Sequence, residues 1–255
     1  MSSPALGRAL LVGLAAGFLS GLFGVGGGIL LVPALVVLLH LPPRMASGTS
    51  LAAVLPISVA SLVSYTISDS VDWWVALFLA IGAVSGAVLG THLLQVLPIR
   101  LVGIGFVVLL VITAIRLFIP LEAEGRAPLT VATAVLLVLV GAAIGILAGL
   151  FGVGGGVVLV PVLVVLWSMA PVIAKGTSLA VVVPTAIVGT LRNRANRNAD
   201  LRLAAIVGVS GIVSALVGAE LAHAIDDRLS NVLFAVLLVV VSVKLIRDLF
   251  RERPA

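Results

Sequence analysis

Cysteine is absent from the 255 residues, which excludes disulfides, thiolate metal sites and thiol relays. Histidine is scarce: His40, His92 and His223 stand far apart and form no metal-binding cluster. No metal site and no cofactor are expected. Charge is scarce as well. Charged residues make up 10% of the chain, hydrophobic residues 62%, and the mean hydropathy is +1.35. A water-soluble domain of this length needs far more polar surface. The formal net charge of +5 does not point to nucleic acid, because the basic residues fall in loops between apolar runs, as the positive-inside bias requires. An enzyme is not expected either, since the apolar runs hold no nucleophile–base pair and no carboxylate cluster.

What remains is apolar helix. A transmembrane helix needs roughly 20 predominantly apolar residues, and runs of that length recur from end to end. The expected fold is an all-α polytopic membrane protein with five apolar segments in each half. They cover about 6–23, 29–41, 46–67, 73–97 and 99–119, then 129–151, 157–169, 172–191, 203–225 and 228–247. Residues 1–119 form the first half and 129–255 the second, joined by the polar linker PLEAEGRAP at 120–128. The N-terminus MSSPALGRALLVGLAAG lacks a clear cleavage site, so it reads as a retained first membrane segment. The second segment of each half is too short to cross alone, which suggests a half-helix, a re-entrant piece or a tilted span.

The halves are copies. GLFGVGGGILLVP at 21–33 returns as GLFGVGGGVVLVP at 149–161, and residues 21–56 match 149–184 at 24 of 36 positions without a gap. Apolar composition produces chance Leu and Val matches, but not aligned Gly, Pro and Gly-Thr-Ser strings. The loop charges make the copies inverted. TISDSVD (66–72) carries two acids and no base, whereas its counterpart LRNRANRNADLR (191–202) carries Arg192, Arg194, Arg197 and Arg202. The arginine-rich loop belongs in the cytoplasm and its acidic counterpart outside. Arg8 and the terminal RDLFRERPA place both termini in the cytoplasm, and LEAEGR outside. An inverted repeat needs an odd number of crossings per half.

Gly24-Val25-Gly26-Gly27-Gly28 costs a helix interior about 1 kcal/mol per glycine relative to Ala. The chain accepts that twice. Broken helices at membrane depth are tolerated where the freed backbone is buried in protein or lines a polar cavity. Inverted-repeat transporters use such breaks to present half-helix N-termini to an anion. The candidate substrate-binding residues are therefore Gly26, Gly27, Gly28, Gly154, Gly155 and Gly156. The Gly-Thr-Ser residues Thr49, Ser50, Thr177 and Ser178 add hydroxyls that could equally cap or back-bond within their helices. Lys175, whose counterpart is Ser47, is a candidate for the substrate charge or a snorkelling interfacial cation. His92 and Glu220 occupy equivalent positions, where either could carry a coupling proton or reach the interface. Asp72 and Asp200 read as helix N-caps, and Trp73, Trp74 and Trp167 as interfacial anchors. The series Gly13/Gly17/Gly21 and Gly82/Gly86/Gly90 read as plain helix-packing surfaces.

The doubled GLFGVGGGILLVPAL…GTSLAAVLP and GLFGVGGGVVLVPVL…KGTSLAVVVP resemble the sulfite exporter TauE/SafE family of membrane anion transporters over nearly the whole chain. The resemblance implies sulfite, sulfoacetate or a related organosulfonate as substrate, export as the direction and the plasma (inner) membrane as the location. It carries over onto Gly24–Gly28, Pro33, Gly48–Ser50, Gly152–Gly156, Pro161 and Gly176–Ser178. The residues themselves reach only a small anion bound near helix ends at a two-fold axis. A passive anion channel with the same pore and a membrane scaffold are the competing readings. The expected partners are the small anion and the lipid bilayer, with no nucleic acid; a homodimer is left open.

Overall fold

The computed structural model describes residues 3–96 and 130–251, together with isolated positions between 104 and 115. The expected segment 99–119 and the linker 120–128 lie outside the described residues, apart from those isolated positions. All secondary structure among the described residues is helical: α1 (Ser3–Phe23), α2 (Gly28–Leu39), α3 (Pro43–Ile67), α4 (Trp73–Val96), α5 (Val131–Phe151), α6 (Gly156–Trp167), α7 (Pro171–Ala195), α8 (Leu201–Ala224) and α9 (Asp227–Arg251). Among the described residues six helices, α1, α3, α4, α5, α7 and α8, are long and apolar enough to cross a membrane. Each boundary from α1 to α4 returns 128 residues later in α5 to α8. The left-handed backbone positions do the same, Gly24, Gly26, Gly27, His40 and Asp69 pairing with Gly152, Gly154, Gly155, Ser168 and Arg197.

Helix ends have local causes. Pro43 and Pro171 open α3 and α7, where the missing N–H costs no hydrogen bond. Asp72 and Asp200 accept from Val75 N–H (3.1 Å) and Leu203 N–H (2.9 Å) at the starts of α4 and α8, the N-cap role read from the sequence. Thr130 and Thr133 form a capping box on α5. The segment expected at 172–191 continues to Ala195, so Arg192 and Arg194 lie in the last helical turn rather than in a loop. Cations are favoured there by the helix dipole.

Small residues decide which helices meet. Gly13, Gly17 and Gly21 of α1 press in turn on Val207, Gly211 and Ala215 of α8. Gly82, Gly86 and Gly90 of α4 press in turn on Val138, Ala142 and Ile146 of α5. The packing reading of both glycine series holds, and both pairs run parallel. α3 and α7, by contrast, pass in opposite senses, with Gly48 against Asn193, Gly189 against Leu51 and Gly176 against Tyr65. The first half's α1 thus packs on the second half's α8, and α4 on α5.

Trp73 and Trp74 lie exposed on the outside of the bundle, whereas Trp167 is only 7% exposed and belongs to the core. Trp167 therefore turns its ring into the bundle instead of outwards, although its neighbours Leu166 and Ser168 at the end of α6 are exposed. α9 closes against α1, with Phe234 stacked on Phe23 at 4.8 Å.

A Cβ at Gly86 would land on the Ala142 carbonyl, whereas one at Gly7 would meet nothing within 4 Å. Gly86→Leu is expected to destabilise the purified protein by about 1–3 kcal/mol or more, and Gly7→Ala by little. Thermal unfolding in detergent measures both.

Candidate functional site: two opposed glycine breaks

Both glycine strings interrupt helices. After α1, Gly24, Gly26 and Gly27 take φ of 68°, 75° and 74°, a region L side chains rarely enter, and the chain turns back on itself. α2 then returns along α1, with Gly27 against Ala16 and Arg8 donating to the Leu38 carbonyl at 3.4 Å. α2 and α6 have 12 residues each, about 18 Å at ~1.5 Å per residue, against roughly 30 Å of hydrocarbon. They are half-helices folded back into the bundle.

The two breaks meet. A Cβ on Gly28 would fall 2.5 Å from the Val153 carbonyl oxygen, and one on Gly156 2.7 Å from the Val25 backbone. Only glycine allows this mutual approach. Residues 21–29 and 151–157 are all buried. The meeting point lies at mid-length of α3 and α7, because Val54 and Val182 approach both Gly26 and Gly154. These two valines fill the space between the breaks.

The half-helix N-termini differ from the capped termini of α4, α5 and α8. Their N-cap residues are Gly27 and Gly155, and neither N-terminus carries a side-chain cap. Each therefore brings an uncapped positive dipole end to mid-depth, worth roughly half an elementary charge. The flanking helices α3 and α7 carry buried hydroxyls. Ser50 and Ser178 are fully buried, and neither Oγ has a hydrogen-bond partner; Ser58 Oγ is also unpartnered and buried. On α3, Ser47, Ser50, Val54 and Ser58 share the helix face that meets the breaks, at helical spacings of three and four. The equivalent face of α7 carries Lys175, Ser178, Val182 and Ala186.

Lys175 is 2% exposed and lies directly against Gly24, whose Cβ would fall 2.5 Å from its Cα. Its ammonium is held within the protein. Burying such a charge costs several kcal/mol unless it is paired. Across the axis, Ser47 lies against Gly152 and donates to the Phe151 carbonyl at 3.3 Å.

The structure separates the remaining sequence candidates from this cluster. Thr49 and Thr177 sit in the second turns of α3 and α7 and point away from the breaks. Thr49 Oγ1 accepts from Asp200 N–H and Thr177 Oγ1 from Asp72 N–H, each at 2.9 Å. The two hydroxyls thus tie each half to the other at the starts of α8 and α4. Glu220 lies near the end of α8, where its Oε1 accepts from Ser64 at 2.9 Å, and His92 is exposed near the end of α4. Neither reaches the breaks. Ser58 is not marked by the repeat, because the residue 128 positions later is Ala186.

The decisive comparison is with known families. The profile described as sulfite exporter TauE/SafE matches residues 2–117 and 137–255. The chain belongs to this family. Relatives include the probable membrane transporter protein YunE of Bacillus subtilis, 22% identical over 94% of this chain and 96% of that protein. The probable membrane transporter protein YjnA of the same organism is 28% identical over 93% of this chain and 98% of that one. No solved structure matches. The TauE/SafE chain is accordingly a multi-pass protein of a membrane-transporter family, with a small molecule as the substrate that role implies.

Thr49→Val and Thr177→Val each strand a backbone N–H and should cost about 1–3 kcal/mol of stability, with Thr→Ser at either site preserving it. Thermal unfolding of the four variants tests this. A loss equal in the Ser and Val variants would contradict the role given to the hydroxyls.

Proposed function

We propose that the chain is a secondary transporter that exports a small sulfur-containing anion, such as sulfite, sulfoacetate or a related organosulfonate, across the plasma membrane. The observation that carries this reading is the pair of uncapped half-helix N-termini, buried at mid-depth and facing one another from opposite sides. Uncapped helix N-termini favour anions through their N–H groups and dipole. Lys175 supplies a full positive charge beside one of them, and Ser50 and Ser178 supply hydroxyl donors. The sulfur-anion class comes from the family resemblance.

Alternating access accounts for the arrangement. Equivalent helices α3 and α7 run antiparallel, which supports an inverted repeat of 1–119 and 129–255 about an axis in the membrane plane; the loop charges favour 120–128 outside and both termini in the cytoplasm. Val54 and Val182 close the space between the breaks, which favours an occluded carrier over an open channel. Opening would require one half-helix and its flanking span to withdraw from the other.

The test is sulfite flux in proteoliposomes, with Lys175→Ala alongside and an excess of organosulfonate as competitor. Saturable flux, blocked by the competitor and reduced about tenfold or more by the substitution, is expected. Folded protein that moves no sulfur anion would overturn the substrate class, and flux that does not saturate would favour the channel.

A further inference from the structure

Hydroxyls on these helices have a common habit, which is to donate to a carbonyl three or four residues back. Ser61 does so to Ile57 (3.2 Å), Ser85 to Gly82 (2.7 Å), Thr185 to Val181 (2.7 Å) and Ser242 to Leu238 (2.7 Å). Ser58 is 0% exposed and makes no such bond. Its Oγ lies instead 3.0 Å from where a Cβ on Gly26 would be, against the break that precedes α2. Leaving a buried hydroxyl unpaired costs about 1–3 kcal/mol. A residue kept in that state is explained by a ligand that pairs it.

Ser58 also breaks the symmetry of the site, since the residue 128 positions later is Ala186. Lys175, whose counterpart is Ser47, breaks it too. Both polar departures face the same break: Lys175 lies on Gly24 and Ser58 on Gly26. Ala186 is buried one turn beyond Val182 on α7, and Val182 itself touches both Gly26 and Gly154. The first break has the charge and the unpaired hydroxyl; the second has Ser47, whose hydroxyl is spent on the Phe151 carbonyl, and an alanine at the position equivalent to Ser58.

We propose that Ser58 is an anion-contacting residue that donates to the oxyanion head at the first break, so that an organic substituent on the anion points towards Ala186 and α6. The proposal rests on the anion-transporter reading above and adds to it the orientation of the ligand. The site then favours a sulfonate with a small apolar group over a fully polar oxyanion. Selectivity comes from the missing hydroxyl at 186, because the Ala186 methyl packs against an apolar substituent whereas a serine there presents a polar atom to it.

The test is calorimetric titration of the detergent-purified protein with sodium methanesulfonate and with sodium sulfite, for the native chain, Ser58→Ala and Ala186→Ser. Thermal unfolding serves as the check on folding. Ser58→Ala is expected to weaken both ligands about tenfold, the loss of one hydrogen bond to a charged group. Ala186→Ser is expected to weaken methanesulfonate severalfold and to leave sulfite equal or tighter. Native-like affinity for both ligands in Ser58→Ala overturns the proposal while the anion reading stands. An Ala186→Ser variant that changes both ligands equally overturns the orientation. No binding of either anion by the folded native chain overturns the anion reading itself.

Discussion

The contact between the two glycine breaks is backbone against backbone. Gly28 abuts Val153 and Gly156 abuts Val25, at distances that any side chain on the glycines would forbid. This close approach turns two short apolar helices into opposed half-helices. It keeps their uncapped N-termini buried in the interior of the protein. It also fixes the depth of the site, because the breaks reach the middle of α3 and α7 and touch Val54 and Val182 there.

The surrounding helices serve that contact by exchange between halves. α1 lies in the groove of α8 and α4 in that of α5, through glycine series that bring backbones together. Association in lipid has no hydrophobic drive, so close packing of small residues carries it. Thr49 and Thr177 add reciprocal hydrogen bonds to the caps of α8 and α4. Each half therefore completes the other. Through the Asp200 cap, Thr49 joins the start of α8 to the helix bearing Ser50 and Ser58.

Much of this was legible in the letters. Glycine runs are expensive in helices, so their recurrence at an offset of 128 marked the breaks, and the repeat set the helix boundaries within a few residues. The N-cap roles of Asp72 and Asp200 followed from position alone. Other features depend on neighbours that spacing cannot name. Thr49 and Ser50 are adjacent, yet successive helical residues point about 100° apart, and of the two Ser50 shares a face with Val54. Trp167 reads as an interfacial anchor by type, but its side chain packs into the core, a direction that spacing does not give. Ser58 left no trace in the repeat, since its interest lies in differing from Ala186. Lys175 could be read as buried or snorkelling, and its 2% exposure settles the burial.

The central claim is that the point where the breaks meet faces the two sides of the membrane in turn. The absence of native cysteine permits a direct measurement. Val54→Cys and Val182→Cys, one at a time, would be reacted with a membrane-impermeant thiol reagent added to either face of oriented vesicles. The account predicts that each cysteine reacts from both faces, at rates that a bound sulfur anion lowers. Reaction from one face only, in both variants and with or without the anion, would contradict it.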